Sequence, residues 1–148
     1  MNIKKIKVPN SRFFYIPQAG EGNWTTSLGM LQNKMDKDTP FINANRFYQI
    51  FVQTAQKWLV GRDVVGPIRQ DLKGLFTADF KMGEIESLEI KNLNLTFAEI
   101  FNHAEEILSK RDDLNRIFSI RVAQGDPLVS PLELRFFPNN YLIPKLTF

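Results

Sequence analysis

The single histidine, His103, lies four residues after Glu99 and three before Glu106. On a helix those positions share one face, and paired Glu and His on bundle helices hold iron or manganese. Such a centre needs matching ligands from other helices, and the chain has no second histidine. The trio therefore reads as an ordinary solvated helix face. Two other carboxylate groups, Glu84 with Glu86 and Glu89, and the pair Asp112-Asp113, are candidates for acid–base or metal chemistry. Neither has the spacing or the turn glycine of a calcium loop, so they read as a solvated strand face and a helix-ending turn. The run Gly61-Arg62-Asp63-Val64-Val65-Gly66-Pro67 is punctuated like a phosphate loop. It lacks the Gly-Lys-Ser/Thr ending and the three-glycine dinucleotide pattern, and reads as a connector between helices. With no cysteine in the chain, disulfides, thiolate metal sites and cysteine nucleophiles are excluded. The sequence thus assigns no catalytic, cofactor-binding or metal-ligating residue, and the expectation is a protein that is not an enzyme.

Arginine beside aromatics recurs at Arg12-Phe13-Phe14-Tyr15, Arg46-Phe47-Tyr48 and Arg135-Phe136-Phe137. Basic grooves with stacking aromatics hold single-stranded nucleic acid. Phe47 and Phe136, however, fall on expected core faces, which leaves Arg46 and Arg135 pointing outward. Only Arg12, Phe13, Phe14 and Tyr15 escape that explanation. Together with Lys4, Lys5 and Lys7 they form a basic, aromatic N-terminal segment. At the other end Tyr141, Leu142, Leu146 and Phe148 make an apolar tail, where an unattached tail in water is usually polar. These eleven residues are the candidate partner-binding set.

The elements expected to carry them follow from periodicity. Pro9, Pro17, Gly20 and Gly22 keep residues 1–23 extended, and a short helix fits 24–34. Pro40 suits a first helical turn, and Ala44, Phe47, Tyr48, Phe51, Ala55, Trp58 and Leu59 recur at helical steps. That spacing predicts a helix over 40–60, with Gly61 as its stop. Gly66-Pro67 opens a further short helix, and residues 85–95 alternate like a strand with a shift of parity. Thr96-Phe97-Ala98-Glu99 matches a capping box ahead of the stripe Phe97, Ile100, Phe101, Ala104, Ile107 and Leu108, with Lys110 and Arg111 in the last turn. Phe118, Ile120 and Val122, then Leu132, Leu134 and Phe136, alternate as two strands of an antiparallel hairpin. No internal repeat is visible.

The fold expected is α+β: two main amphipathic helices on a small antiparallel sheet of three to four strands, with extended N- and C-terminal arms. Residues 24–137 form the domain, 1–23 a basic arm and 138–148 an apolar tail. The length of 148 residues suits one core, to which 13 phenylalanines would contribute. Residues 1–74 carry 11 Lys/Arg against 5 Asp/Glu, and residues 75–148 carry 8 against 11. Opposed halves suit head-to-tail or ring packing. The function expected is a non-catalytic structural or adaptor subunit of a larger assembly, such as a phage-tail, virion or secretion-type particle. It would contact other subunits, itself included, through its arms. The alternative is a nucleic-acid-binding protein using the N-terminal segment. No apolar run reaches the roughly 20 residues of a membrane span, and no signal-peptide core follows the N-terminal lysines. The place expected is the cytoplasm, or a particle assembled there.

Overall fold

The structure, a computed structural model, describes residues 2–19, 29, 31, 47–65, 75–91, 95–123 and 132–148. Its frame is one eight-stranded antiparallel sheet that curls into a half-barrel. The strands are β1 (Lys4–Val8), β2 (Ser11–Ala19), β3 (Phe47–Thr54), β4 (Lys57–Val65), β5 (Phe76–Phe80), β6 (Gly83–Ile90), β7 (Leu114–Ala123) and β8 (Leu132–Pro138). They lie in the order β1-β6-β8-β7-β3-β4-β2-β5. One complete helix, α1 (Phe97–Ser109), is described. Two helices on three or four strands is therefore not the architecture: sheet dominates, and it is twice as wide as expected.

The largest correction falls on residues 40–60. From Phe47 onward this stretch is not a helix but a hairpin, β3 and β4, paired from Tyr48↔Arg62 to Thr54↔Lys57; residues 40–46 lie outside the described residues. Both faces of β3 are buried, Ile50 and Val52 on one side and Gln49 and Phe51 on the other. A strand covered on both faces loses its alternation and reads as a continuous apolar run, and two such strands in series mimic a helical period. The turn between them carries neither glycine nor proline. Thr54 Oγ1 makes it instead, accepting from the backbone N–H of Gln56 at 3.3 Å and of Lys57 at 3.1 Å. Gly61 is an interior strand residue, not a helix stop. The helix expected over 24–34 is seen only at Gly29 and Leu31, both helical. The short one after Gly66-Pro67 lies outside the described residues apart from Leu75 and Phe76, of which Phe76 opens β5.

The capping box is present as read. Thr96 Oγ1 accepts from Glu99 N at 3.2 Å, and Glu99 Oε1 accepts from Thr96 N at 3.3 Å. The Thr96→Ala variant should lose about 1 kcal/mol of stability, measured by urea unfolding. Lys110 is the C-cap residue. Arg111 lies beyond it and spans Glu86 Oε2 at 2.8 Å and Asp113 Oδ2 at 2.7 Å, which raises the guanidinium further above its ordinary range. The β7–β8 hairpin also stands, with Phe118↔Phe136, Ile120↔Leu134 and Val122↔Leu132.

The backbone repeats although the sequence does not. Strands β2-β4-β3 and β6-β8-β7 have the same connectivity, and the two halves meet where β3 pairs with β7. Each half also lends its first strand to the other: β1 pairs with β6, and β5 with β2. Gln49 and Arg121 are paired across the seam between β3 and β7.

The sheet has a core on each face. On the helix side Ile100, Ala104 and Leu108 of α1 pack with Ile50, Val60, Phe118, Ile120 and Leu134. The opposite, helix-free face carries Phe13, Tyr15, Phe51, Leu59, Phe80, Ile85 and Phe137. The C-terminal segment covers it: Tyr141 is buried there, and Ile143, Leu146 and Phe148 are half-buried.

Candidate functional site

The helix-free face is apolar at its periphery and polar at its centre. The register lines up Glu133, Arg121, Gln49 and Gly61 across β8, β7, β3 and β4. The adjacent row holds Arg135, Ser119, Phe51 and Leu59. Asp63 stands two residues beyond Gly61 on the same face, opposite Phe13 of β2. A sheet face folded against water needs none of these groups buried. Here Gln49, Asp63 and Ser119 are nonetheless 4%, 8% and 0% exposed.

Around this row is a cavity of about 140 Å³, lined by Gln49, Asp63, Arg121 and Arg135, by Phe51, Phe80, Phe137 and Tyr141, and at its margin by Lys7 and the β1–β2 turn. The aromatic wall is continuous: Phe51 stacks on Phe80 at 5.1 Å between ring centres and on Phe137 at 5.8 Å, and Phe137 meets Tyr141 at 5.5 Å. Gln49 Nε2 donates to Asp63 Oδ2, and Arg135 Nε donates to Glu133 Oε1. Gln49 Oε1 and Ser119 Oγ are buried and have no hydrogen-bond partner among the described residues.

Burial pushes the Asp63 carboxyl up to about 6, against the pull of Arg135, Gln49 and Arg121. Arg121 is pulled below its ordinary range, first by burial and then by Arg135. Two guanidinium groups and one reluctant carboxylate therefore share a poorly hydrated space, an arrangement common at functional sites. Among the described residues no group of His, Asp and Glu is placed to hold a metal ion.

The C-terminal segment closes one side. Tyr141 Oη donates to the Lys81 carbonyl at 2.7 Å, its ring lies over Gly83, where a Cβ would come within 2.9 Å, and Thr147 N donates to Tyr15 Oη at 3.0 Å. Burial raises the Tyr141 phenol above its ordinary value, and the charge of Asp63 adds to this. The Tyr141→Phe variant should lose about 1 kcal/mol and speed amide exchange at Thr147, read by hydrogen–deuterium exchange.

The residues picked out from sequence scatter over this structure. Phe13 and Tyr15 belong to the helix-free core and Phe14 to the helix-side core. Arg12 forms a surface ion pair with Asp79, 2.8 Å from Nε to Oδ1. Lys4, Lys5 and Lys7 are exposed along edge strand β1. Tyr141, Leu146 and Phe148 pack on the sheet of their own chain, while Leu142 is 86% exposed. Of the whole set, only Lys7 and Tyr141 reach the cavity.

Gln49, Asp63, Arg121 and Arg135 were not legible as a site. Arg135 is the instructive one: its side chain is 13% exposed, although alternation placed it outward. Alternation shows which residues share a face, and cannot show that a second layer covers that face. The usable signal was the density of charge in Arg121, Glu133 and Arg135 on strands of one hairpin.

No family model matches this sequence, and no curated protein matches it. Solved structures do share its fold. A protein named SAV2435, solved bound to tetraphenylphosphonium, superposes with a TM-score of 0.58 at 12% identity over 95% of both chains. A chain described as a bacterial transcription regulation protein of Staphylococcus aureus MU50 gives 0.51 at 11% identity, over 92% of this chain and 97% of that one. A chain described as a hydrolase from Listeria innocua gives 0.50 at 14% identity over 90% of both. What this chain shares with all three, at such identities, is the fold.

Proposed function

We propose that this domain is a small-molecule-binding module, and that its ligand occupies the cavity between the polar row of the sheet and Tyr141. The observation that carries this reading is the buried Asp63 with Gln49, Arg121 and Arg135 around a ring-sized space. Burying a carboxylate until its pKa reaches about 6 costs stability, and proteins keep such costs where function needs them. The orphaned acceptor Gln49 Oε1 is a second sign, since buried polar atoms are nearly always satisfied. A protein of the same fold holds the organic ion tetraphenylphosphonium, which supports a binding role for this chain too. The role proposed is binding.

The test is a fragment screen by amide chemical shifts on the labelled protein, with anionic, neutral and cationic single-ring compounds. Hits should move Gln49, Asp63, Arg121, Arg135 and Tyr141 together. A screen without hits, or hits that cluster elsewhere, would sink the reading. Membership of a larger assembly is a separate proposal. Met82 and Leu142, 68% and 86% exposed, are the apolar surface that would carry it, and a native mass above that of one chain would show it.

A further inference from the structure

Resting on the binding reading, we infer that the cavity selects a small aromatic anion, a single-ring carboxylate with a hydrogen-bond donor at its far end. Charge decides the sign. The lining has three cations, Lys7, Arg121 and Arg135, against one carboxylate, Asp63. Glu133 holds Arg135 through Nε only, and among the described residues no acceptor meets the two terminal nitrogens of Arg135. A guanidinium with its outer edge open is the group that takes a carboxylate in bidentate fashion. Burial first, and then the charge of Arg135, pulls Arg121 below its ordinary range, and an anion beside the two guanidinium groups offsets the second of these.

Shape decides the body. The wall of Phe80, Phe51, Phe137 and Tyr141 offers ring faces and edges to a planar ring. The volume of about 140 Å³ is close to that of cavities that take up benzene. It is far too small for tetraphenylphosphonium, which has four rings and the wrong charge for this lining. Strand order decides the polarity. Asp63 lies on β4 and Arg135 on β8, with β3 and β7 between them, so the carboxylate and the open guanidinium stand at opposite ends of the floor. The far end presents Gln49 Oε1 without a donor, which suits a ligand hydroxyl.

The charged groups facing Asp63 are Lys7 of β1, Arg121 of β7, and Arg135 with its partner Glu133 of β8. Gln49 of β3 donates to it, and the phenol of Tyr141 stands by. Protonating Asp63 removes one negative charge from among these groups. Anion affinity should therefore rise as pH falls through about 6.

The experiment is calorimetric titration of the full chain with three probes of one shape: 4-hydroxybenzoate, 4-hydroxybenzamide and 4-hydroxybenzylamine. The benzoate should bind at least about tenfold more tightly than the other two. Its affinity should rise several-fold between about pH 7.5 and pH 5.5, where it stays ionised. Arg135→Met should weaken the benzoate about tenfold and leave the benzamide unchanged, while Asp63→Asn should tighten the benzoate at pH 7.5. The wild-type pH series decides the matter if Arg135→Met does not fold. Equal or tighter binding of the benzamide or the benzylamine overturns the anion assignment while the binding reading survives. Binding of none of the three overturns the anion assignment, and with a screen empty of hits the binding reading falls as well.

Discussion

The Gly61→Ala variant is expected to lose about 3 kcal/mol or more, enough to leave the domain largely unfolded. Gly61 sits in the interior of β4, paired with Tyr15 of β2 and Gln49 of β3. A Cβ at that position would lie 2.2 Å from the Phe14 carbonyl oxygen and 2.5 Å from Cζ of Phe13. The Phe13 ring occupies the place of the missing side chain, an arrangement by which aromatics cover strand glycines. The ring is fully buried and held edge-on by Phe51 at 4.9 Å, so it has nowhere to go. Shortening it in a Phe13→Leu, Gly61→Ala double variant relieves the ring contact but not the backbone contact. Only part of the loss should return. Circular dichroism and thermal unfolding of both variants check this; full stability in Gly61→Ala would show that β2 and β4 are not packed as described.

The second large effect has the opposite sign. Asp63→Asn should stabilise the protein at pH 7.5 by up to about 3 kcal/mol, the equivalent of moving a carboxyl from 3.8 to about 6. For a chain of this size that is about 5–10 °C in Tm. The direction follows from linkage. Between pH 3.8 and about 6 the folded state holds a proton that the unfolded state has released. The contribution of Asp63 is thus fully present below the lower value and is lost as pH rises through the upper one. Asp79 and Asp113, held low by hydrogen bonds from Arg12 and Arg111, act in reverse: their contribution is lost as pH falls below the usual carboxylate range. Wild type should therefore be most stable near the low end of the Asp63 window. The Asn variant should be flat across it, and Tm measured at half-unit steps separates the two.

How much of this was readable depended on what covered each segment. Helix α1 was legible because Thr96 and Glu99 fix its start locally and its stripe faces a single core. The β7–β8 hairpin was legible because Phe118, Ile120 and Val122 face one side and pair with Leu132, Leu134 and Phe136 on the same side. The β3–β4 hairpin was not, because both its faces are covered and Thr54 makes its turn without glycine or proline. Extended backbone over the first residues was legible from Pro9 and Pro17, but the pairing of Lys4–Val8 with β6 and of Ser11–Tyr15 with β5 is set by strand exchange between the halves, which leaves no local mark. The site fell between these cases. Asp63 lay in a run that resembled a connector, and Arg121 and Arg135 alternated as if toward water. Tyr141 of the C-terminal segment, together with β1 and the β1–β2 turn, turns that polar face into a cavity.

The most direct test of a ligand cavity at Asp63 is a carboxyl-detected NMR titration of that residue, with and without saturating 4-hydroxybenzoate. The midpoint should be near 6 in the free protein and should rise when the anion is bound, since each must favour the state the other favours. A free midpoint near the ordinary carboxylate value, or one that does not move when the probe is saturating, would contradict the account.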